Sequence, residues 1–343
     1  MNLLYLKTVN RNIKQIPVIL LFVLITADLF GQSSQSFTSL QQPAFAGIAG
    51  LGGVNASLMK GGQGYFLYNP ALLREELNNN LALSYGFLPG GANLSNINYS
   101  FNIDELGSFG AGIQYVAYGT IQGYDNTGSP TVEFSPADFT ISATHARQAN
   151  NFRLGATIKF SNTSISGYNG NALMFDLGGV FIHPEKEFTV GMVVRNLGIV
   201  TSEFSSTSKT DLPFDVQLGT SIKPEHLSVR FSLTLHKLHK WDLMYEEPEI
   251  HTLNTTLDNM FRHVVVGAEI IINDHVSILA GYNQLRRQEL KLENRGGFSG
   301  FSIGTAISIK NFNLDYAYGG YHVSGNTNTF TLSADLSQIK LKK

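Results

Sequence analysis

From Ser299 to Gly320 the chain alternates residue by residue. Phe301, Ile303, Thr305, Ile307 and Ile309 fall on one parity, and Ser302, Gly304, Ala306 and Ser308 on the other. After Lys310-Asn311 the pattern resumes, with Phe312, Leu314, Tyr316 and Tyr318 set against Asn313, Asp315, Ala317 and Gly319. Period-two alternation sends successive side chains to opposite faces of a strand. The stretch is therefore predicted as a β-hairpin with one apolar and one small, polar face. Each arm runs about ten residues, the length that crosses a bilayer at a tilt. Strands of soluble sandwiches are shorter, nearer about 5–6 residues.

The same unit recurs along the chain from Asn80. Outward-facing sets are predicted at Leu81–Phe87, Ile97–Ile103, Phe109–Tyr115, Phe139–Ala143, Phe152–Phe160, Leu173–Phe181, Phe188–Val194, Phe214–Leu218, Val229–Leu235, Val264–Ile270, Val276–Tyr282 and Phe330–Leu336. With the hairpin these make about fourteen strands, an even number, as bacterial outer-membrane barrels have. The connections alternate in length. Asp104–Leu106, Gln148–Asn151, His183–Glu187, Lys223–His226, Asn273–His275 and Lys310–Asn311 are short. Gly119–Pro136, Asn162–Gly170, Asn196–Pro213, His239–Asn259, Gln284–Phe298 and Tyr321–Asn326 are mostly long, with Pro89–Asn93 the exception. The expected fold class is all-β, a transmembrane antiparallel β-barrel spanning 80–337, with a tail at 338–343. Its short turns would be periplasmic, its long loops extracellular, and both termini periplasmic.

Composition fits a wall that faces lipid: 15% of the 343 residues are charged, with 34 Gly, 23 Phe and 14 Tyr. Ile16–Phe30 is apolar and lies behind Lys7, Arg11 and Lys14, and Gly31 precedes Gln32. That order reads as a secretory signal peptide over 1–31; an uncleaved anchor is the other reading. Without Lys7, Arg11, Lys14 and Asp28, the 24 basic and 26 acidic residues fall to 21 and 25, which leaves no basic patch for nucleic acid. With no cysteine the chain has neither disulfides nor a Cys–zinc site. Residues 32–79 do not alternate. They are rich in Gly, Ala and Ser, and Pro70 fits the first position of a short helix capped by Asn69, with Leu72, Leu73 and Leu77 on one side. The expectation is an N-terminal lumenal plug centred on Asn69, Pro70, Ala71, Leu72 and Leu73, rather than a linker.

The inward parity carries Arg153, Lys159, Arg195 and Arg230 against Asp176, Asp215, Glu269, Asp315 and Asp335. Near balance suggests a lumen stitched by ion pairs and hydrogen bonds rather than a charge-selective pore. His236 and His239 stand three apart, so on a strand they point to opposite faces and make a poor metal pair. No nucleophile-elbow or phosphate-loop pattern occurs, and no catalytic constellation, cofactor or metal is expected. Trp241, the one tryptophan, with Asp242, Met244 and Tyr245 forms a candidate partner contact on a long loop. Aromatic anchors ringed by polar groups concentrate interface energy, although a rim Trp also marks a lipid boundary.

Several stretches carry a family likeness: Asn69–Leu73, Gly110–Tyr115 with Tyr118-Gly119, Leu212–Gly219 (LPFDVQLG), Arg230–Leu243 (RFSLTLHKLHKWDL) and Gly281–Leu290 (GYNQLRRQEL). In these the chain resembles the PorQ family of type IX secretion outer-membrane proteins, over nearly its whole mature length and in order. Asn69–Leu73 alone also resembles the wider family of outer-membrane fatty-acid transporters. The resemblance implies a non-enzymatic barrel in outer-membrane lipid that anchors the surface protein PorZ, beside PorU and PorV. The wider family implies an alternative, transport of hydrophobic small molecules such as long-chain fatty acids. Two stretches depart from the PorQ pattern: Gln41–Gly53 lacks an arginine, and the chain ends Leu341-Lys342-Lys343 rather than on an aromatic residue.

Overall fold

The computed structural model describes residues 34–58, 62–205, 209–243, 256–290, 297–322 and 325–338. The leader over 1–31, Met244 and Tyr245, and residues 339–343 of the tail lie outside them. Fourteen antiparallel strands close into one barrel. In chain order they are β1 (Asn80–Phe87), β2 (Asn93–Ile103), β3 (Gly107–Ala117), β4 (Ala137–Ala149), β5 (Phe152–Ile165), β6 (Tyr168–Ile182) and β7 (Phe188–Ser202). The second half comprises β8 (Asp215–Ile222), β9 (Val229–Leu235), β10 (Val264–Asn273), β11 (Val276–Asn283), β12 (Phe301–Ile309), β13 (Phe312–His322) and β14 (Gly325–Asp335). Each strand pairs with its sequence neighbours, and β14 closes on β1, Leu332 opposite Leu83.

Alternation decides the two faces. Ile303 and Leu314 are 49% and 48% exposed on the outside, while Ser302 and Asp315 are 3% and 5% exposed within. Leu83, Ile97, Ile113, Ile141, Leu233 and Leu332 extend the outer belt. The fourteen-strand, all-β barrel expected from the pattern is the fold observed. Val216 departs from the outward set of its strand and is buried, its carbonyl accepting from Leu238 N.

Two connections differ from expectation. Asn162–Gly170 is not a loop: β5 and β6 continue through it to a two-residue turn at Ser166-Gly167, both with positive φ, as a tight hairpin requires. β13 and β14 likewise run into the Tyr321–Asn326 segment. Strands β4 to β7 are 13, 14, 15 and 15 residues long, more than the roughly 9–11 that a bilayer needs. Within β7 the outward parity switches, from Val190, Met192 and Val194 to Leu197 and Ile199. The cause is a bulge: Phe175 opposes Leu197, but Leu177 opposes Val194, so Asp176 alone faces Arg195 and Asn196. Asn196 takes the left-handed conformation there, φ 55°.

A fourteen-strand barrel is too wide for wall side chains to fill. Residues 37–58 and 62–77 occupy the space. Phe45, Ile48, Leu51, Tyr65, Tyr68 and Leu72 form a buried cluster with the wall residues Ala82, Leu94, Val116, Val180 and Leu279. Polar wall groups hold the segment's backbone: Ala46 N donates to Thr331 Oγ1 (2.9 Å), Ser302 Oγ to Gly50 O (3.0 Å), Thr189 Oγ1 to Ser57 O (2.7 Å) and Ser100 Oγ to Leu77 O (2.6 Å). The segment runs along the barrel axis. Ser36 N bonds Asp211 O beside the long β7–β8 connection, and Asn79 O accepts from Leu336 N at the short-turn end. Residues 36 and 337 therefore lie at opposite ends of the barrel. The reason is that the lumenal segment traverses the barrel before β1 begins.

Candidate functional site

The lumen and one sector of the rim gather the residues singled out in the sequence. Asn69 to Leu73 are all fully buried. Asn69 caps a single 3₁₀ turn, Pro70–Leu72, by accepting from Ala71 N at 3.0 Å. Its amide donates to Ala56 O at 2.6 Å and Met192 O at 3.4 Å. A second short turn, Glu75–Leu77, follows after extended Leu73 and Arg74, so the expected single helix is two separate turns. The wall admits this close approach because it carries glycine. A Cβ on Gly178 would stand 2.0 Å from Asn69 Oδ1, and one on Gly155 would stand 2.6 Å from the Pro70 carbonyl carbon.

The inward charges form separate groups rather than one network. Lys159 pairs with Asp176, both buried, and donates to Asn196 Oδ1 at 3.0 Å; Asp176 Oδ1 accepts from Asn196 N at 2.8 Å. The bulge in β7 is what brings Asn196 to this pair. Arg230 binds Glu269 and reaches Glu187 at 3.3 Å. Glu187 lies in a short turn, where alternation gives no signal, and the sequence reading missed it. Arg153 donates to Gln148 Oε1 at 2.5 Å. Arg195 lies over the Tyr68 ring at 5.3 Å, and Asp215 accepts from Lys237 N and Gln217 Nε2, each at 2.6 Å. Asp315 is buried on β13 beside the lumenal segment, whereas Asp335 sits at the short-turn mouth and accepts from Ser337 N at 2.9 Å.

At the long-connection end, β8 and β9 are tied together beyond their ladder. Besides Lys237 N to Asp215, Leu238 N donates to Val216 O at 3.0 Å, and the Phe214 and His239 rings meet edge-on at 5.0 Å. The helix Thr256–Arg262 then returns to this corner. Buried Asn259 donates to Trp241 O at 2.7 Å and accepts from Leu243 N at 3.1 Å. His263 Nδ1 lies 2.8 Å from His236 O and its Nε2 lies 3.1 Å from Trp241 O. The Trp241 ring stacks on His263 at 5.9 Å and remains 61% exposed, and Asp242 beside it is exposed. Asn259 and His263 were not anticipated, because a buried polar residue in a loop leaves no periodic trace. Among the described residues no group of three or more His, Cys, Asp or Glu is placed to hold a metal ion. Burial holds the His236 imidazole neutral, its pKa pushed down to about 3, with the charges of Lys237, His263 and Arg286 adding to the effect.

No protein-family model and no curated protein matches the chain. Solved structures do resemble it. The toluene transporter TodX of Pseudomonas putida superposes with a TM-score of 0.53 at 12% identity, over 89% of this chain and 98% of that one. A deltaS2 mutant of the TodX monoaromatic hydrocarbon channel gives 0.53 at 13% identity, over 86% and 97%. A FadL homologue of Pseudomonas aeruginosa gives 0.47 at 12% identity, over 85% and 97%. At such identities the TodX likeness is one of fold, and the fold is that of outer-membrane β-barrels.

Proposed function

We propose that this protein is a non-enzymatic outer-membrane barrel that works at its long-connection rim. There it anchors a surface partner of the type IX attachment complex, PorZ by the sequence resemblance, with PorU and PorV in the same assembly. One observation carries the reading. The two stretches with the most specific likeness to the PorQ family, Leu212–Gly219 and Arg230–Leu243, are neighbours in space, laced by Asp215–Lys237 and Val216–Leu238. Together they hold Trp241 in an ordered, exposed position. The rim residues are the ones a soluble partner can reach, since the wall faces lipid and the lumen is occupied. Trp241 and Asp242, with Met244 and Tyr245 beyond the described residues, are the proposed contacts, an aromatic anchor in a polar setting.

A second reading, passage of a hydrophobic small molecule, is favoured by the fold likeness to a toluene transporter. It requires an apolar pocket continuous with an exit. The cavity between lumenal segment and wall is small, about 30 Å³, and mixes Leu40, Leu67 and Tyr68 with Lys159, Arg195 and Gln114. The test is the variant Trp241→Ala with Tyr245→Ala, first checked for normal insertion. Release of the surface partner into the medium, with the barrel retained, supports anchoring. Partner retained after trimming of the long connections, together with loss of aromatic-hydrocarbon uptake in a deletion strain, refutes anchoring in favour of transport.

A further inference from the structure

One cavity lies between the lumenal segment and strands β3, β4, β5 and β7. Its volume is about 30 Å³, and its lining includes Gln42, Gln114, Thr140, Ser142, Lys159 and Arg195. A water needs about 10–15 Å³ of such volume, so the cavity holds about two water-sized groups and no organic molecule. Its charge is one-sided. Lys159 and Arg195 are 4% and 8% exposed and both line it, whereas no carboxylate does. Lys159 is offset by Asp176. Arg195 has no carboxylate within 4 Å among the described residues; Asp215, its neighbour across the β7–β8 ladder, turns its oxygens to Lys237 N and Gln217. Arg195 makes one long bond, Nη2 to Leu40 O at 3.4 Å, and its buried Nε has no partner among the described residues.

We propose that this cavity binds a small monovalent inorganic anion of about chloride size, held between Arg195 and Lys159. Asp215 stands opposite Arg195 across the β7–β8 ladder but outside ion-pair distance, so the buried Nε is left as a charged donor that an anion satisfies. The surrounding polar groups can donate. The Thr140 and Ser161 hydroxyls bond each other at 2.7 Å, which leaves one of the two hydrogens free. If Ser161 donates, Thr140 turns its hydrogen into the cavity. The Tyr68 ring already covers one side of the Arg195 guanidinium, so the ion approaches the guanidinium edge through Nε.

The test uses the intact protein in detergent and bromide as probe. Thermal unfolding is followed as sodium bromide replaces sodium gluconate at constant ionic strength, gluconate being too large for the site. A saturable rise in midpoint is expected. Arg195→Gln raises the half-saturating bromide concentration by roughly tenfold or more, the factor for loss of a charge-assisted hydrogen bond worth about 1.4 kcal/mol or more. Crystals grown with bromide show an anomalous peak between Arg195 and Lys159. This second measurement decides the matter if the variant does not fold. The proposal is overturned by a wild-type map with no peak in the cavity, or by a bromide response unchanged in Arg195→Gln.

Discussion

Replacing Gly178 by Ala adds one methyl group inside the barrel and nothing outside it. Its position is set by the backbone: 2.0 Å from Asn69 Oδ1, 3.0 Å from Asn69 Cγ and 3.0 Å from Pro70 Cδ. The first of these contacts is impossible and the other two are tighter than ordinary packing, so Asn69 must move. Overpacking of this kind costs about 1–3 kcal/mol. Displaced, Asn69 gives up its cap on Ala71 N, worth about 1 kcal/mol, and its bond to Ala56 O, where a buried unpaired group costs about 1–3 kcal/mol. The expected total is about 3–7 kcal/mol, carried by the lumenal segment rather than by the wall. The β6 ladder on both sides of Gly178 is backbone-made and unchanged. Asn69→Ala alone removes the cap and the bond without adding the methyl clash, and should cost about 2–4 kcal/mol. In the double variant the methyl meets no carboxamide, so its total should fall at least about 1 kcal/mol below the sum of the singles. Denaturant unfolding in micelles gives the energies. Heat-modifiable migration checks the barrel, and planar-bilayer conductance reports whether the lumen has opened. Gly179→Ala, whose Cβ meets only Leu154 Cδ2 at 3.3 Å, is the control. Additive energies, or a Gly178→Ala protein as stable as the parent, would refute the account of the wall–segment contact.

Ile303→Arg on the outer belt should cost about 2–4 kcal/mol in bilayers, and undiminished stability there would overturn the face assignment. Lys159→Met strands buried Asp176 and should cost about 3–5 kcal/mol, whereas Lys159→Met with Asp176→Leu should recover most of it; equal losses in single and double variants would show that the pair is not coupled. The depressed His236 pKa means that the folded rim prefers the neutral ring. Its contribution is full above the unfolded value near 6.5 and is lost as pH falls toward about 3. Trp241, the one tryptophan, reports this corner directly, so its emission should change across that range in the wild type but not in His236→Gln; an identical titration in both would remove His236 as the cause. Deleting about residues 33–75 should raise single-channel conductance if the lumenal segment seals a barrel of this strand number, and an unchanged trace would refute the seal.

The wall was legible because lipid on one side and a polar lumen on the other impose period two on every strand. Where that contrast ends, legibility ends. Asn162–Gly170 has only Ile165 and Tyr168 as apolar residues, one on each parity, so the ends of β5 and β6 leave no alternation. The β7 bulge did leave a trace, the shift of apolar residues from Val194 to Leu197, and it passed as the end of a strand. The lumenal segment has no period at all. Its fit depends on glycines more than a hundred residues away, Gly178 and Gly155 among them, and no local pattern records such a match. Ion-pair partners were readable only where both members lay on strands, as for Lys159 and Asp176, and Glu187 in its turn was not.

The segment that traverses the lumen limits the routes of assembly. It is continuous with β1 at one mouth and is held by Ser36 and Phe37 at the other, where Phe37 meets Phe204 at 6.4 Å. β14 closes directly onto β1. A chain threaded along the axis of a sealed cylinder cannot be added from the side once the seam has zipped. Either the barrel curls around this segment before the β14–β1 seam closes, or the segment enters lengthwise through a mouth afterwards. The finished molecule is an axle fixed in a sleeve: tension applied at the long-connection mouth is carried along the axis to the first strand of the seam, joining the two ends of the barrel mechanically.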